Sequence, residues 1–314
     1  LPDHSDRSLL VLRPGLLTTI QDLGRWGHQG HGVPVAGPMD VYSHRLANRL
    51  VGNSERAAAL EITLAGPELQ ADGDLLCAVA GADFSLAVGG HSIHHTGAFR
   101  VQSGATIRFR ERRSGARGTL AVRGGIAVPE VFGSRSTSVL SRIGPFGGRA
   151  LLAGDRLPVG QERTFDGGVP RAYPLAVPRG GARLRVIVGP HEGRFAPAAF
   201  DALFSSRYTV TPSSNRMGYR LVGAVLAHAG GADILSDATP IGSIQVPGSG
   251  QPILLMADRQ TTGGYPKIAT VITADLPLAG QLAPGDWLEF VPCSRSAAIE
   301  VLRAQERRLT GRPR

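Results

Sequence analysis

Short apolar runs broken by glycine and proline recur along the whole chain, and most are rich in Val, Ile, Leu and Thr. The pattern predicts strands at residues 9–12, 16–20, 59–64, 75–80, 84–88, 99–101, 106–110, 119–122, 183–188, 208–211, 221–227 and 287–291. Two more apolar runs, at 252–257 and 268–272, read as buried strands. No alternating strand–helix rhythm is present, so a mainly β fold is expected. Closed barrels suit it, because closure removes exposed strand edges.

Helices are few. At 40–51 the spacing puts Tyr42, Leu46 and Leu50 on one stripe before Gly52-Asn53 stops it. Short helices are expected at 197–204 and 296–309, the latter with Ser294 or Ser296 as N-cap and Arg307 and Arg308 in its last turn. Residues 163–181 are rich in Gly and Pro and hold no long apolar run. They read either as a linker between two barrel-like halves, 1–165 and 166–314, or as a long loop within one domain.

A length of 314 residues allows one large core or two. No apolar run approaches the ~20 residues of a membrane helix, so no membrane partner is expected. The start, LPDHSDRSLLVLRPG, lacks the layout of a secretion signal. Cys77 and Cys293 form no CxxC pair, and a reduced, cytoplasmic setting follows as the expectation. The net charge of +9 invites a nucleic-acid reading, yet all but one of the 34 basic residues are arginines scattered along the chain, and only 5% of residues are aromatic. A stacking platform is poorly supplied, and no nucleic-acid partner is expected. The exception, Lys267, lies in GGYPKIAT, which is neither a phosphate loop nor the MKM context of a biotin carrier. Covalent biotin on this chain is therefore not expected.

Candidate chemistry concentrates near residue 260. Asp258, Arg259, Gln260, Thr261, Thr262 and Tyr265 surround the pair Gly263-Gly264, between the apolar runs at 252–257 and 268–272. Such a segment lines a pocket or forms the polar tip of a hairpin. His91, His94 and His95 suggest a metal site, but His94 and His95 are adjacent and would face opposite ways on a strand, with no acidic ligand beside them. A surface hairpin without metal is the expectation there. His28 and His31, in WGHQGHG, follow QDLGR and read either as neighbours of a site or as a plain polar loop.

Gly15–Asn53 contains GLLTTIQDLGRWGHQGHGVPVAGPMD. It is followed by ALEITLAGPEL, LAVRGGIAVPEVFGSRST, GGRALLAGDRL, VGP, SSNRMGYRL and QTTGGYP. In this order they resemble the biotin-dependent carboxyltransferase-like family. That family is also labelled allophanate hydrolase subunit 2 or the antagonist of a sporulation-kinase inhibitor, and its bacterial members are described as the C subunit of ATP-dependent 5-oxoprolinase. The resemblance implies two cyclophilin-like β-barrels and a complex with two other 5-oxoprolinase chains. One is the B subunit (also called allophanate hydrolase subunit 1, the kinase-inhibitor-like chain); the other is the A subunit. It implies cleavage of 5-oxo-L-proline to L-glutamate at a site that the B subunit completes, with ATP and Mg acting at the level of the complex. Two alternatives stay open: a carboxyltransferase component acting on urea or a related amide through carboxybiotin, and a regulatory protein that binds a kinase inhibitor.

A lactam resists water, and phosphorylation of its carbonyl oxygen would activate it. Such a site needs cations or N–H donors, an acceptor for the lactam N–H and a cation for the carboxylate. Arg25, Asp258, Gln260 and Tyr265 are the expected catalytic residues. Gln21, Asp40, Arg216, Gln245, Thr261, Thr262, Gly263 and Gly264 are the expected substrate-binding residues. Arg25, Arg216 and Arg259 offer the guanidinium fork, Asp40 and Asp258 an acceptor or metal-nucleotide ligand, and the glutamines an amide edge that donates and accepts. Structural readings stand beside these: Asp40 as N-cap, Asp22 as a turn cap at Gly24, Arg216 or Arg220 satisfying loop carbonyls, and Glu61 as a strand residue.

Overall fold

The computed structural model of the protein describes residues 7–93, 97–161 and 173–311. The chain divides into two compact units. One takes Leu1–Arg25, Ala36–Val177 and Arg307–Arg314; the other takes Trp26–Val35 and Pro178–Glu306. The boundary expected at 165/166 lies outside the described residues, as do His94 and His95.

The first unit is built on β1 (Ser8–Arg13), β2 (Leu17–Gln21), β3 (Ala59–Thr63), β4 (Glu68–Asp72), β5 (Leu75–Val88), β6 (His91–Ile93), β7 (Ala98–Val101), β8 (Thr106–Val122) and β9 (Arg156–Pro158). These form one nine-stranded sheet in the order β2-β3-β8-β4-β1-β9, with β5 paired to β8 and carrying β6 and β7. It is a half-barrel, whereas the second unit closes completely. β6 turns back on β5, pairing His91 with Val88, so GGHSI is the expected hairpin as far as Ile93.

Two strands run longer than the sequence pattern suggests. Residues 75–80 and 84–88 belong to one strand, and so do 106–110 and 119–122. Gly81 and Gly115 have φ of 99° and 69° and read as breaks along the chain. Paired strands absorb such residues as bulges, and the β5–β8 register shifts between Gly81 and Asp83, again before Phe84, and again before Leu86. Phe84 and Phe109 then meet edge to face with centroids 5.6 Å apart. A Cβ on Gly66 would lie 2.2 Å from Phe109 Cβ, so only glycine fits beneath that ring. Leu60, Ile62, Phe84, Ile107 and Leu120 are fully buried in this core. Each such side chain contributes roughly 1.5–3 kcal/mol.

Helix α1 (Val41–Leu50) packs Tyr42, Leu46 and Ala47 on the alanines Ala59, Ala78 and Ala121, whose small side chains let it sit close to the sheet. Asp40 is its N-cap: Oδ1 accepts from Ser43 N–H at 2.8 Å, and Ser43 Oγ donates to Oδ2 at 2.6 Å. A single distorted turn, α2 (Pro145–Gly148), completes the unit's helices among the described residues.

The second unit is a closed barrel of β10 (Gly181–Val188), β11 (Arg207–Val210), β12 (Gly218–Val222), β14 (Ser243–Gln245), β15 (Ile253–Leu255), β17 (Lys267–Val271) and β18 (Trp287–Pro292). The order is β10-β17-β14-β15-β12-β11-β18, closed by parallel pairing of β18 with β10. A separate ribbon pairs β13 (Asp237–Ala238) with β16 (Thr262–Gly263). Helices α3 (Pro197–Ser205) and α4 (Leu276–Gly280) belong to this unit, as does α5 (Arg295–Thr310) as far as Glu306, and Ser294 Oγ caps α5 by accepting from Ala297 N–H. The strand expected at 221–227 stops at Val222. There the Gln251 side-chain amide accepts from Gly223 N–H and donates to its carbonyl, standing in for a partner strand.

Candidate functional site

In the first unit the QDLGR motif folds around Asp22. Its Oδ1 accepts from Gly24 N–H at 2.9 Å and from the hydroxyls of Ser134 and Ser136 at 2.6 Å each, and Oδ2 accepts from Arg135 N–H at 2.6 Å. Burial pushes this carboxyl up, but the four hydrogen bonds outweigh it and hold Asp22 below the ordinary carboxylate range. Arg25 is 1% exposed and donates to the carbonyls of Val131 and Ser136. Gln21 is fully buried and donates to Thr19 Oγ1 and Thr137 O. Glu61 accepts from Met39 N–H at 2.7 Å. His44, buried on α1, is pushed down to about 4 by burial, against the opposing pull of Asp22 and Glu61.

These groups face inward. Of the residues read from the sequence as site residues, Gln21 and Arg25 donate to backbone carbonyls of the segment 131–137, and Asp40 caps a helix. The physical reason is that a turn running through a buried layer must saturate its own backbone, and side chains rich in donors are what it uses.

In the second unit the predicted residues form two groups. Arg216 and Asp258 make a buried two-pronged pair, Nε to Oδ2 and Nη2 to Oδ1, each at 3.1 Å, with side-chain exposures of 6% and 2%. Asp258 N–H also donates to Arg216 O, so backbone and side chain lock the same two residues. Arg259 donates to Thr239 O and Met256 O, and burial lowers its guanidinium below the usual value.

The other group is more open, apart from Gln245, which is 1% exposed. The apolar runs at 252–257 and 268–272 are not hairpin partners, because β14 lies between β15 and β17. The intervening QTTGG segment leaves the barrel and pairs with β13, Ala238 opposite Thr262 and Asp237 opposite Gly263. Beside this ribbon Gln260 Nε2 donates to Gln245 Oε1 at 3.3 Å, and Gln245 Nε2 donates to Tyr265 O at 3.3 Å. A Cβ at Gly263 would lie 2.7 Å from Gln245 Nε2, so the glycine is needed for that close approach. Neither Gly263 nor Gly264 has a positive φ; their role is space, not a left-handed turn. Thr262 is exposed, and Tyr265, whose carbonyl accepts from Gln245, is 39% exposed. The linked amides retain Gln260 Oε1 as acceptor and further N–H groups as donors, an edge complementary to an amide or ureido group.

Shape and chemistry disagree on where a ligand goes. A cavity of about 920 Å³ lies in the first unit, walled by Leu46, Val79, Phe84, Leu86, Ile93 and Leu175 among others, and no predicted site residue lines it. Its lining is largely apolar. A small polar amide needs partners for its hydrogen bonds, so the ribbon and its glutamines fit one better. Among the described residues no group of three or more His, Cys, Asp or Glu is placed to hold a metal ion.

The chain matches the sequence model of the carboxyltransferase domain, subdomain A and B, over residues 31–292. It belongs to this family. Within the carboxyltransferase-domain family, the chain is similar to the 5-oxoprolinase C subunit of Escherichia coli, 38% identical over 95% of this chain and 96% of that one. It is also similar to the 5-oxoprolinase C subunit of Haemophilus influenzae, 35% identical over 92% of each. Among solved structures, the urea amidolyase of K. lactis superposes with a TM-score of 0.89 at 33% identity, over 99% of this chain. The chain spans only 20% of the length of that protein.

Three residues that meet beside the second-unit ribbon were not foreseen from the sequence. Lys267 Nζ donates to Asp237 Oδ2 at 2.5 Å and to Ala238 O at 2.8 Å, and Lys267 N–H donates to His191 Nδ1 at 3.2 Å. A signal for Lys267 existed in its being the chain's lone lysine. Asp237 and His191 carried none, because ribbon pairing and barrel closure bring them there. In the first unit, Ser134 and Ser136 sit in the quoted GSRST motif, but nothing in their spacing tied them to Asp22.

Proposed function

We propose that this chain is the C subunit of an ATP-dependent 5-oxoprolinase, a complex that opens 5-oxo-L-proline to L-glutamate. The B subunit completes the site, and the A subunit is the third component. Length carries the reading: the alignments with the two 5-oxoprolinase chains cover 96% and 92% of them. In the proposed site the Gln260 carbonyl oxygen accepts the lactam N–H. Gln245 and the N–H groups around Gly263 and Gly264 donate to the lactam oxygen, Thr261 and Thr262 form the adjoining wall, and Tyr265 supplies one hydroxyl at the entrance. The Arg216–Asp258 pair holds the loop that leads into Gln260. Arg25, Arg216 and Arg259 donate to internal acceptors, and this proposal gives them no phosphate to hold. ATP with Mg belongs, in this proposal, to the complex.

The setting we propose is cytoplasmic; among the described residues no helix is long and apolar enough to cross a membrane. Covalent biotin on this chain is not part of the proposal, since Lys267 is 2% exposed and its ammonium is engaged. The test is reconstitution with the two partner chains and an assay for ATP-dependent glutamate formation. Turnover that requires all three chains supports the proposal, and a rate no higher than that of the two partners without this chain sinks it. The superposition on urea amidolyase favours a second reading, a carboxyltransferase component acting on urea or a related amide through biotin on another chain. That reading predicts bicarbonate-dependent, avidin-sensitive turnover instead.

A further inference from the structure

All but one of the 34 basic residues of this chain are arginine, and the exception is buried in a barrel strand. Lysine carries a compact ammonium with three rotatable donors, where arginine carries a planar fork. The side chain of Lys267 is 2% exposed, while that of its carboxylate partner Asp237 is 50% exposed. Stability does not favour this arrangement: the ammonium is removed from water, its partner is not, and an apolar side chain of similar length packs at least as well.

What the pair achieves is geometric. Asp237 and Ala238 together are β13, and Nζ binds the side chain of one and the carbonyl of the other. Through the pairing of Asp237 with Gly263 and Ala238 with Thr262, one ammonium ties the two-stranded ribbon to the barrel strand β17. Across the β14–β17 ladder, Lys267 is the register partner of Gln245, whose amide packs against Gly263. His191 is fixed as well. Its Nδ1 accepts from Lys267 N–H, which places the ring proton on Nε2, 3.8 Å from Asp237 Oδ2. The ring nitrogen that would act as a base is therefore occupied, and His191 joins the frame rather than the chemistry.

We infer that Lys267 is a positioning residue: its ammonium holds the β13–β16 ribbon to the rim of the barrel and so sets the spacing between Gly263 and the linked amides of Gln245 and Gln260, where a planar amide or ureido ligand is read. The ligand class rests on the function proposed above, but the anchoring does not. Lys267→Met keeps the length of the stem and removes the donors. In the full chain, hydrogen exchange at residues 237–239 and 261–265 rises about 10-fold or more, while β10, β15 and β18 keep their protection. Unchanged exchange in the ribbon, or an equal rise in the barrel strands, overturns the inference.

In the reconstituted complex, Lys267→Met raises KM for the amide about 10-fold and leaves kcat within about twofold. Asp237→Asn keeps an acceptor oxygen for Nζ and gives a smaller rise in KM, about threefold. A fall in kcat at constant KM overturns positioning in favour of a direct part in the chemistry. If the wild-type complex makes no glutamate, the functional reading falls, and the exchange measurement on the chain alone still decides the anchoring.

Discussion

Written out as strings, the QDLGR turn and the QTTGGYP segment are much alike: each sets a glutamine, other hydrogen-bonding side chains and glycine beside apolar strands. In the turn, which belongs to the first unit, Gln21 and Arg25 are 0% and 1% exposed, and the Asp22 carboxylate accepts four hydrogen bonds from its own chain. In the segment, which belongs to the other unit, Thr262 and Tyr265 stay exposed, and the half-buried Gln260 donates to Gln245, which is 1% exposed and donates on to Tyr265 O. The contrast teaches that polar residues beside glycine mark a site only where the local backbone leaves their hydrogen-bonding capacity open. A buried turn consumes that capacity; a ribbon standing off a closed barrel does not have to.

The largest effect that would sharpen this contrast is at the inward-facing pair. Asp258→Ala leaves Arg216 charged and buried, and it should lose about 3–5 kcal/mol in urea unfolding. The double change Arg216→Met with Asp258→Leu should recover most of that; equal losses would mean that the pair does not act as a unit.

Next is a pH effect confined to the first unit. His44 drops from an ordinary 6.5 to about 4 on folding, so the unfolded chain binds the extra proton between those values. Stability is therefore full above about pH 6.5, falls as pH drops towards 4 by about 3 kcal/mol, and gains no further loss from this group below that. Asp22, whose carboxyl is held below its ordinary value, contributes stability that is present above about pH 4 and is lost as pH falls further. His44→Gln should flatten the upper window and leave the lower one; an unchanged upper slope would remove His44 from the account.

Smaller again, Gly263→Ala drives a methyl to within 2.7 Å of Gln245 Nε2. It should cost about 1–3 kcal/mol if the amide is held, and much less if it swings away. Gln245 Nε2 shifts in an NMR spectrum distinguish the two, and only the rigid outcome keeps the amide edge intact. At the low end, Tyr265→Phe should change stability by less than about 0.5 kcal/mol and raise KM about threefold in the reconstituted complex. A loss of stability there would place Tyr265 with the inward-facing residues and break the comparison.

Much of this molecule was legible along the chain. The positions of β10, β11, β15, β17 and β18, the cap and apolar stripe of α1, and the polar segment at 258–265 follow from local sterics, periodicity and the placement of glycine and proline. The order of motifs identified the family. Local rules act between residues a few positions apart, so they are written into the sequence directly.

What remained hidden depends on partners distant in the chain. Gly81 reads as a break until β8 lies beside it and makes it a bulge. Asp22 reads as a turn cap until Ser134 and Ser136 arrive from more than a hundred residues away. QTTGG reads as a pocket lining or a hairpin tip between the two apolar runs, and only the topology shows β14 between those strands and β13 paired with the segment. Lys267, Asp237 and His191 have no common pattern in sequence; the pairing of β10 with β17 and of β13 with β16 sets them within hydrogen-bonding and ionic reach. The sequence determined which groups could donate and accept, and the tertiary structure decided which of them were left with capacity for a ligand, because that capacity is what remains after the rest of the chain has been satisfied.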